Sequence, residues 1–111
     1  MAENLRVVFV SAPDPGSAEK IAAELVASKL AACVNIVPGV VSHYVWEGKQ
    51  YRNAELLLLV KTRESLLPVV TRFVRERHPA KLPEIIALAI QGGDRQYLDW
   101  VASATQNAQP L

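Results

Sequence analysis

The chain has 111 residues, a net charge of +1, 50% apolar residues and 21% charged ones. That length suits one compact domain spanning 1–111, and the charge balance lacks the basic excess that nucleic-acid binders use against phosphates, so no nucleic-acid partner is expected. The start, MAENLRVVFVSAPD, places an acidic residue before an apolar segment too short for a signal peptide or a membrane span. Cys33, the single cysteine, cannot form an intrachain disulfide and agrees with a reducing compartment. A cytoplasmic protein without membrane insertion is the expectation.

Residues 5–10 (LRVVFV) form a β-branched and aromatic run, read as a strand covered on both faces. The turn-rich SAPDPGS follows. Asp14 can cap a helix with Pro15 at its first position, and Ala18, Ile21, Ala22, Leu25 and Val26 recur at helical spacing, which predicts a helix over 15–30. Residues 32–46 are strand-like, with a bulge or bend expected at Pro38-Gly39. EGKQ is the expected hairpin turn and 54–62 (AELLLLVKT) the returning strand.

Ser65 opens a second helix with the stripe Leu66, Val69, Val70, Phe73 and Val74, and Pro68 is tolerated in its first turn. Pro79 disfavours helical geometry just before it, so this helix should stop at Arg77 or His78. Residues 85–90 (IIALAI) make a fourth strand, broken by Gly92-Gly93. Asp94 then caps a short third helix in which Tyr97, Leu98 and Val101 share a face and Trp100 points sideways. The tail TQNAQPL is expected to fray.

The order is β-α-β-β-α-β plus a terminal helix, the ferredoxin-like split-βαβ arrangement of the α+β class, with an antiparallel sheet carrying its helices on one face. Lengths within it do not match. Strands of roughly 15 residues can reach ~50 Å, whereas helices of about 15 residues span only ~22 Å. Val41, Tyr44, Val45, Trp46 and Leu56 would then stand uncovered unless another subunit packs there, and a homo-oligomer follows, with ring closure the natural way to satisfy a head-to-tail contact.

Several motifs occur in order along nearly the whole chain: LAACVN (30–35), SHYVWEG (42–48), KT (61–62), HP…PE (78–84) and YLDW (97–100). In these the chain resembles the CutA divalent-cation tolerance family. The resemblance implies a homotrimer of ferredoxin-like subunits, similar to the PII signalling proteins, with clefts between subunits. It also implies an association with tolerance of copper and other divalent metals. One stretch departs from the family pattern: where relatives read His-Pro-Tyr-Glu, this chain has His78, Pro79, Ala80 and Lys81, so a tyrosine and a carboxylate are missing. Places that hold a cysteine and a further histidine in some bacterial relatives carry Val10 and Arg77 here.

The metal candidates are Cys33, His78 and Glu84, for copper or another divalent cation. Cys33 is a soft donor suited to Cu(I), although a buried small filler is the plainer reading of a lone cysteine. His78 can ligate, or it can serve the end of its helix. His43 alternates with Ser42 and Tyr44 and is expected to face away from them into solvent. No His-x-x-x-His or Cys-x-x-Cys spacing occurs, so a site with enough donors would have to be assembled between subunits.

Ser42, Tyr44, Trp46, Lys61, Tyr97 and Trp100 are the candidates for lining a cleft, with packing as the alternative for the aromatics. Lys61 and Glu84 are expected either to meet there or to form a plain ion pair. Arg63, Arg72, Arg75 and Arg77 read as a solvated face, because Glu64 and Glu76 intervene. Without a nucleophile elbow, a phosphate loop or a Ser-His dyad, the expectation is a binding protein and no enzyme, with no organic cofactor. A signalling or scaffold module that holds a small ligand or a partner protein at the cleft is the alternative.

Overall fold

The structure, a computed structural model, describes residues 4–108. Its elements are β1 (Leu5–Ala12), α1 (Pro15–Ala27), β2 (Cys33–Trp46), β3 (Lys49–Arg63), a single 3-10 turn (Glu64–Leu66), α2 (Leu67–Arg77), β4 (Ile85–Ala89) and α3 (Arg95–Ala104). The strands form one antiparallel sheet in the order β2-β3-β1-β4. This is the expected α+β arrangement. Residues 1–3 and 109–111, which carry the expectations for the extreme start and the end of the tail, lie outside the described residues.

Local chemistry sets the element ends. The Asp14 carboxylate accepts from the Ser17 amide at 2.8 Å and starts α1, and the Asp94 carboxylate accepts from the Tyr97 amide at 2.9 Å and starts α3. Between β2 and β3 the turn is only Glu47-Gly48, both at positive φ (52° and 77°), the two-residue geometry whose twist matches a hairpin. Strand β3 therefore begins at Lys49, five residues before the expected start. Its first residues alternate without an apolar face, which hides them from a hydrophobicity reading. The bulge expected at Pro38-Gly39 is present as a register shift between Val37 and Val40.

The expectation of all helices on one sheet face does not hold: α3 packs on one face against Leu5, whereas α1 and α2 cover the other. Val8, Val10, Leu58 and Val60 are buried there against Ile21 and Leu25 of α1 and Val70, Phe73 and Val74 of α2. Val26, assigned to that stripe from its spacing, is instead 43% exposed. Leu56, expected bare, packs against the same core. Thr105, in the segment expected to fray, is buried and accepts from Arg63 Nε at 3.1 Å, so the chain is pinned to β3 past the end of α3.

The other sheet face is covered only at one end, where Val101 of α3 packs on Leu5 and Ala32. Val7 and Phe9 of β1 are only half-buried on it, beside Leu57 and Leu59 of β3 and the exposed Ile86 and Leu88 of β4. Strand β1 is thus not covered on both faces within one chain. It also ends its pairing with β3 at Ala12 and Leu56, so the hairpin beyond that point projects from the body, and the molecule is 47 Å long by 29 Å by 21 Å. Val41, Val45, Tyr44 and Trp46 are exposed on this projection, as expected from the strand lengths. No helix among the described residues is long and apolar enough to cross a membrane.

Candidate functional site

The candidate residues fall into two groups. The larger surrounds a cavity of about 720 Å³ between the projecting hairpin, the end of β1 at Ser11 and Pro13, and the segment 78–84. Hairpin pairing supplies one wall: Tyr44 lies opposite Tyr51 and Ser42 opposite Asn53, so all four point to one side. The two tyrosine rings stack at 5.3 Å, and Asn53 Nδ2 donates to the Tyr44 hydroxyl at 2.5 Å. Trp46 and Glu55 complete this wall; His43 borders the cavity too, but its register opposite Arg52 puts it on the other side of the hairpin from Ser42 and Tyr44, as expected.

The opposite wall is held by His78. Its Nδ1 accepts from the Ala80 amide at 3.0 Å and therefore carries no proton there; Nε2 carries it and donates to the Ser11 carbonyl at 2.5 Å. The ring ties the 78–84 segment, which brings Lys81 and Glu84 to the cavity, to the end of β1. Both nitrogens are engaged, so ligation of a metal by His78 would displace one of these bonds. Glu55 and Glu84 make no side-chain hydrogen bond or ion pair among the described residues.

The second group lies where β2 begins. Cys33 is half-exposed and has no disulfide. Its strand partner Lys61 places Nζ 3.9 Å from the Cys33 sulfur and hydrogen-bonds the Asn35 side-chain oxygen. Tyr97 comes in from α3: loss of solvent around its phenol raises its pKa above the usual value, and the charge and hydrogen bond of Cys33 push the same way. Tyr97 leans on Trp100, with ring centroids 5.5 Å apart. Expected on the buried face of Leu98 and Val101, Tyr97 is instead 43% exposed and stands at the edge of that face, where it meets Cys33.

Ser42, Tyr44, Trp46, His78 and Glu84 therefore share the cleft, whereas Cys33, Lys61, Tyr97 and Trp100 form a separate cluster. Lys61 does not meet Glu84: it is bound to Asn35 on the sheet, and Glu84 faces the cavity with Glu55. Among the described residues no three of His, Cys, Asp and Glu come together, so one copy does not fit a metal ion by itself. Tyr51, Asn53 and Glu55 were missed by the sequence reading. Counting alternate residues from a Glu47-Gly48 turn would have found them.

Comparison with known proteins gives a consistent answer. A family model described as "CutA1 divalent ion tolerance protein" matches residues 6–104. The chain is 47% identical over 102 residues to the rice "Protein CutA 1, chloroplastic", an alignment covering 92% of this chain and 58% of that protein. It is 48% identical over 99 residues to the Thermus thermophilus divalent-cation tolerance protein, covering 89% and 96%. It thus spans under three-fifths of the plant relative and nearly all of the bacterial one. The rice crystal structure superposes with a TM-score of 0.91 at 46% identity, covering 94% of this chain and 95% of that one. The Thermus structure gives 0.87 at 45%, covering 94% and 98%.

Proposed function

The chain belongs to the CutA1 divalent ion tolerance protein family, and from that premise we propose that it acts in metal tolerance as a cytoplasmic homotrimer binding copper or another divalent cation between subunits. Its role is binding, without catalysis. The observation that carries this reading is the position of Cys33. A half-exposed thiol, a soft donor for Cu(I), stands on the sheet face that also presents Phe9, Leu57, Leu59, Ile86 and Leu88, the apolar surface through which copies would associate. Association brings Cys33 of each copy to a shared boundary and supplies the donors that one chain lacks. Glu84 and His78 are the further donors, His78 on giving up one of its present hydrogen bonds.

The test is competition for Cu(I) against a coloured chelator, with the oligomer and a Cys33→Ala variant side by side. The proposal expects the native protein to take copper from the chelator, and the variant to bind at least about tenfold more weakly, a loss of ~1.4 kcal/mol. Equal competition by both proteins, or none by either, would contradict it.

The cleft supports a second reading, a PII-like module that holds a small ligand or partner. Its volume lies within the usual range of ligand pockets, and aromatic and polar groups converge on it.

A further inference from the structure

Cys33 has a cation fixed beside it. Its register partner across the strands is Lys61, whose Nζ lies 3.9 Å from the sulfur and donates to the Asn35 side-chain oxygen. Asn35 is two residues on from Cys33 and so on the same sheet face, which clamps the Lys61 ammonium between the two. The clamp is a neutral carboxamide and cancels none of that charge. Tyr97, which also meets the sulfur, is a neutral phenol. Arg63, the next cation along this face of β3, is drawn off to Thr105 and the Ala102 carbonyl.

A positive charge held against a metal-ligating sulfur changes which ion can be bound. A coordinating thiol is deprotonated, so with the donors assigned above Cys33 contributes one negative charge and Glu84 another, while His78 ligates uncharged. Lys61 offsets one of the two. The single negative charge that is left balances a monovalent ion, whereas a divalent ion overshoots it. Such an imbalance weighs most at a boundary from which association removes water, because screening is weak there.

We infer that Lys61 selects the charge of the bound ion, so that the Cys33 site takes a soft monovalent cation such as Cu(I) in preference to a divalent one. The inference rests on the metal reading of Cys33 and narrows that reading to one class of ion. Lys61 is its specificity-determining residue and not a ligand.

Silver(I) and cadmium(II) test it, because both are soft closed-shell ions and they differ in charge. Each is titrated calorimetrically into the full-length, metal-free oligomer in competition with glutathione. Lys61→Met keeps the stem and removes the charge, and Lys61→Arg keeps the charge; Lys61→Gln is the second neutral variant should Lys61→Met not assemble. Native mass spectra first check that each variant has the oligomer mass of the native protein. Relative to silver, cadmium should bind at least about tenfold more tightly to the neutral variant than to the native protein, a change of ~1.4 kcal/mol. Lys61→Arg should keep the native ratio, and Cys33→Ala should weaken the binding of both ions. A ratio unchanged in the neutral variant, or shifted as far by Lys61→Arg, would overturn charge selection by Lys61 and leave the metal reading of Cys33 standing. Binding of both ions that survives Cys33→Ala, or no binding to the native protein, would overturn that reading and the selection with it.

Discussion

His78 Nε2 donates to the Ser11 carbonyl at 2.5 Å while Nδ1 accepts from Ala80, so one side chain fixes both the end of α2 and the wall of the cleft. Replacing it with Phe keeps the bulk and removes both bonds. The expected cost is about 1–2 kcal/mol in urea unfolding, with faster amide exchange at Ala80. Ring nitrogen NMR of the neutral imidazole in the native protein should show Nε2 protonated and Nδ1 bare, and the opposite tautomer would contradict the assignment.

Arg77 joins the two long helices. Its Nε donates to Glu24 at 2.7 Å, and its guanidinium lies 3.4 Å from the Phe73 ring centroid. Arg77→Ala should cost about 1–2 kcal/mol, because packing over Phe73 is lost along with the ion pair, whereas Glu24→Gln should cost less than about 1 kcal/mol. Equal losses would mean that the ring contact contributes nothing.

The two sheet faces should respond differently to substitution. Leu58 is fully buried under the helices, so Leu58→Ala should destabilise by about 2–5 kcal/mol without changing the assembly. Ile86 and Leu88 are 53% and 45% exposed, and Ile86→Asp or Leu88→Asp should leave the fold intact by circular dichroism but lower the mass seen by light scattering. An unchanged mass would remove this face from the association surface.

Asp14 gives the first helix an acid limb. The Ser17 amide, then the Ser17 hydroxyl, hold its carboxyl below the usual 3.8. A folded-state pKa below the unfolded one means that the stabilisation is present above 3.8 and is lost as pH falls through the lower folded value. Asp14→Asn keeps a side-chain acceptor for the cap but removes the titration. The fall in urea midpoint between about pH 5 and pH 3 should therefore be shallower in the variant. Parallel curves would contradict the cap assignment.

What the sequence made legible was what neighbours along the chain decide. Asp14 and Asp94 are caps three residues from the amides they accept, Pro38-Gly39 marks a bulge, and the α2 stripe follows a period of 3.6. Partners distant in sequence were not legible. Residues 49–53 alternate between two unburied faces and give no apolar signal, so the strand that carries Tyr51 was cut short, and Glu55, though inside the expected strand, was not tied to the cleft. Lys61 and Glu84 were paired by charge alone, whereas register gives Lys61 to Cys33 and Asn35. Thr105 resembles a polar tail residue until the Arg63 side chain reaches it from β3.

The most direct measurement is a native mass spectrum of the metal-stripped protein before and after Cu(I), beside the Cys33→Ala variant. A trimer that takes up a whole number of copper ions, and a variant trimer that takes up none, is the expected result. A monomer would contradict association through the open sheet face and the projecting hairpin, and a trimer that stays free of copper would contradict the shared metal site.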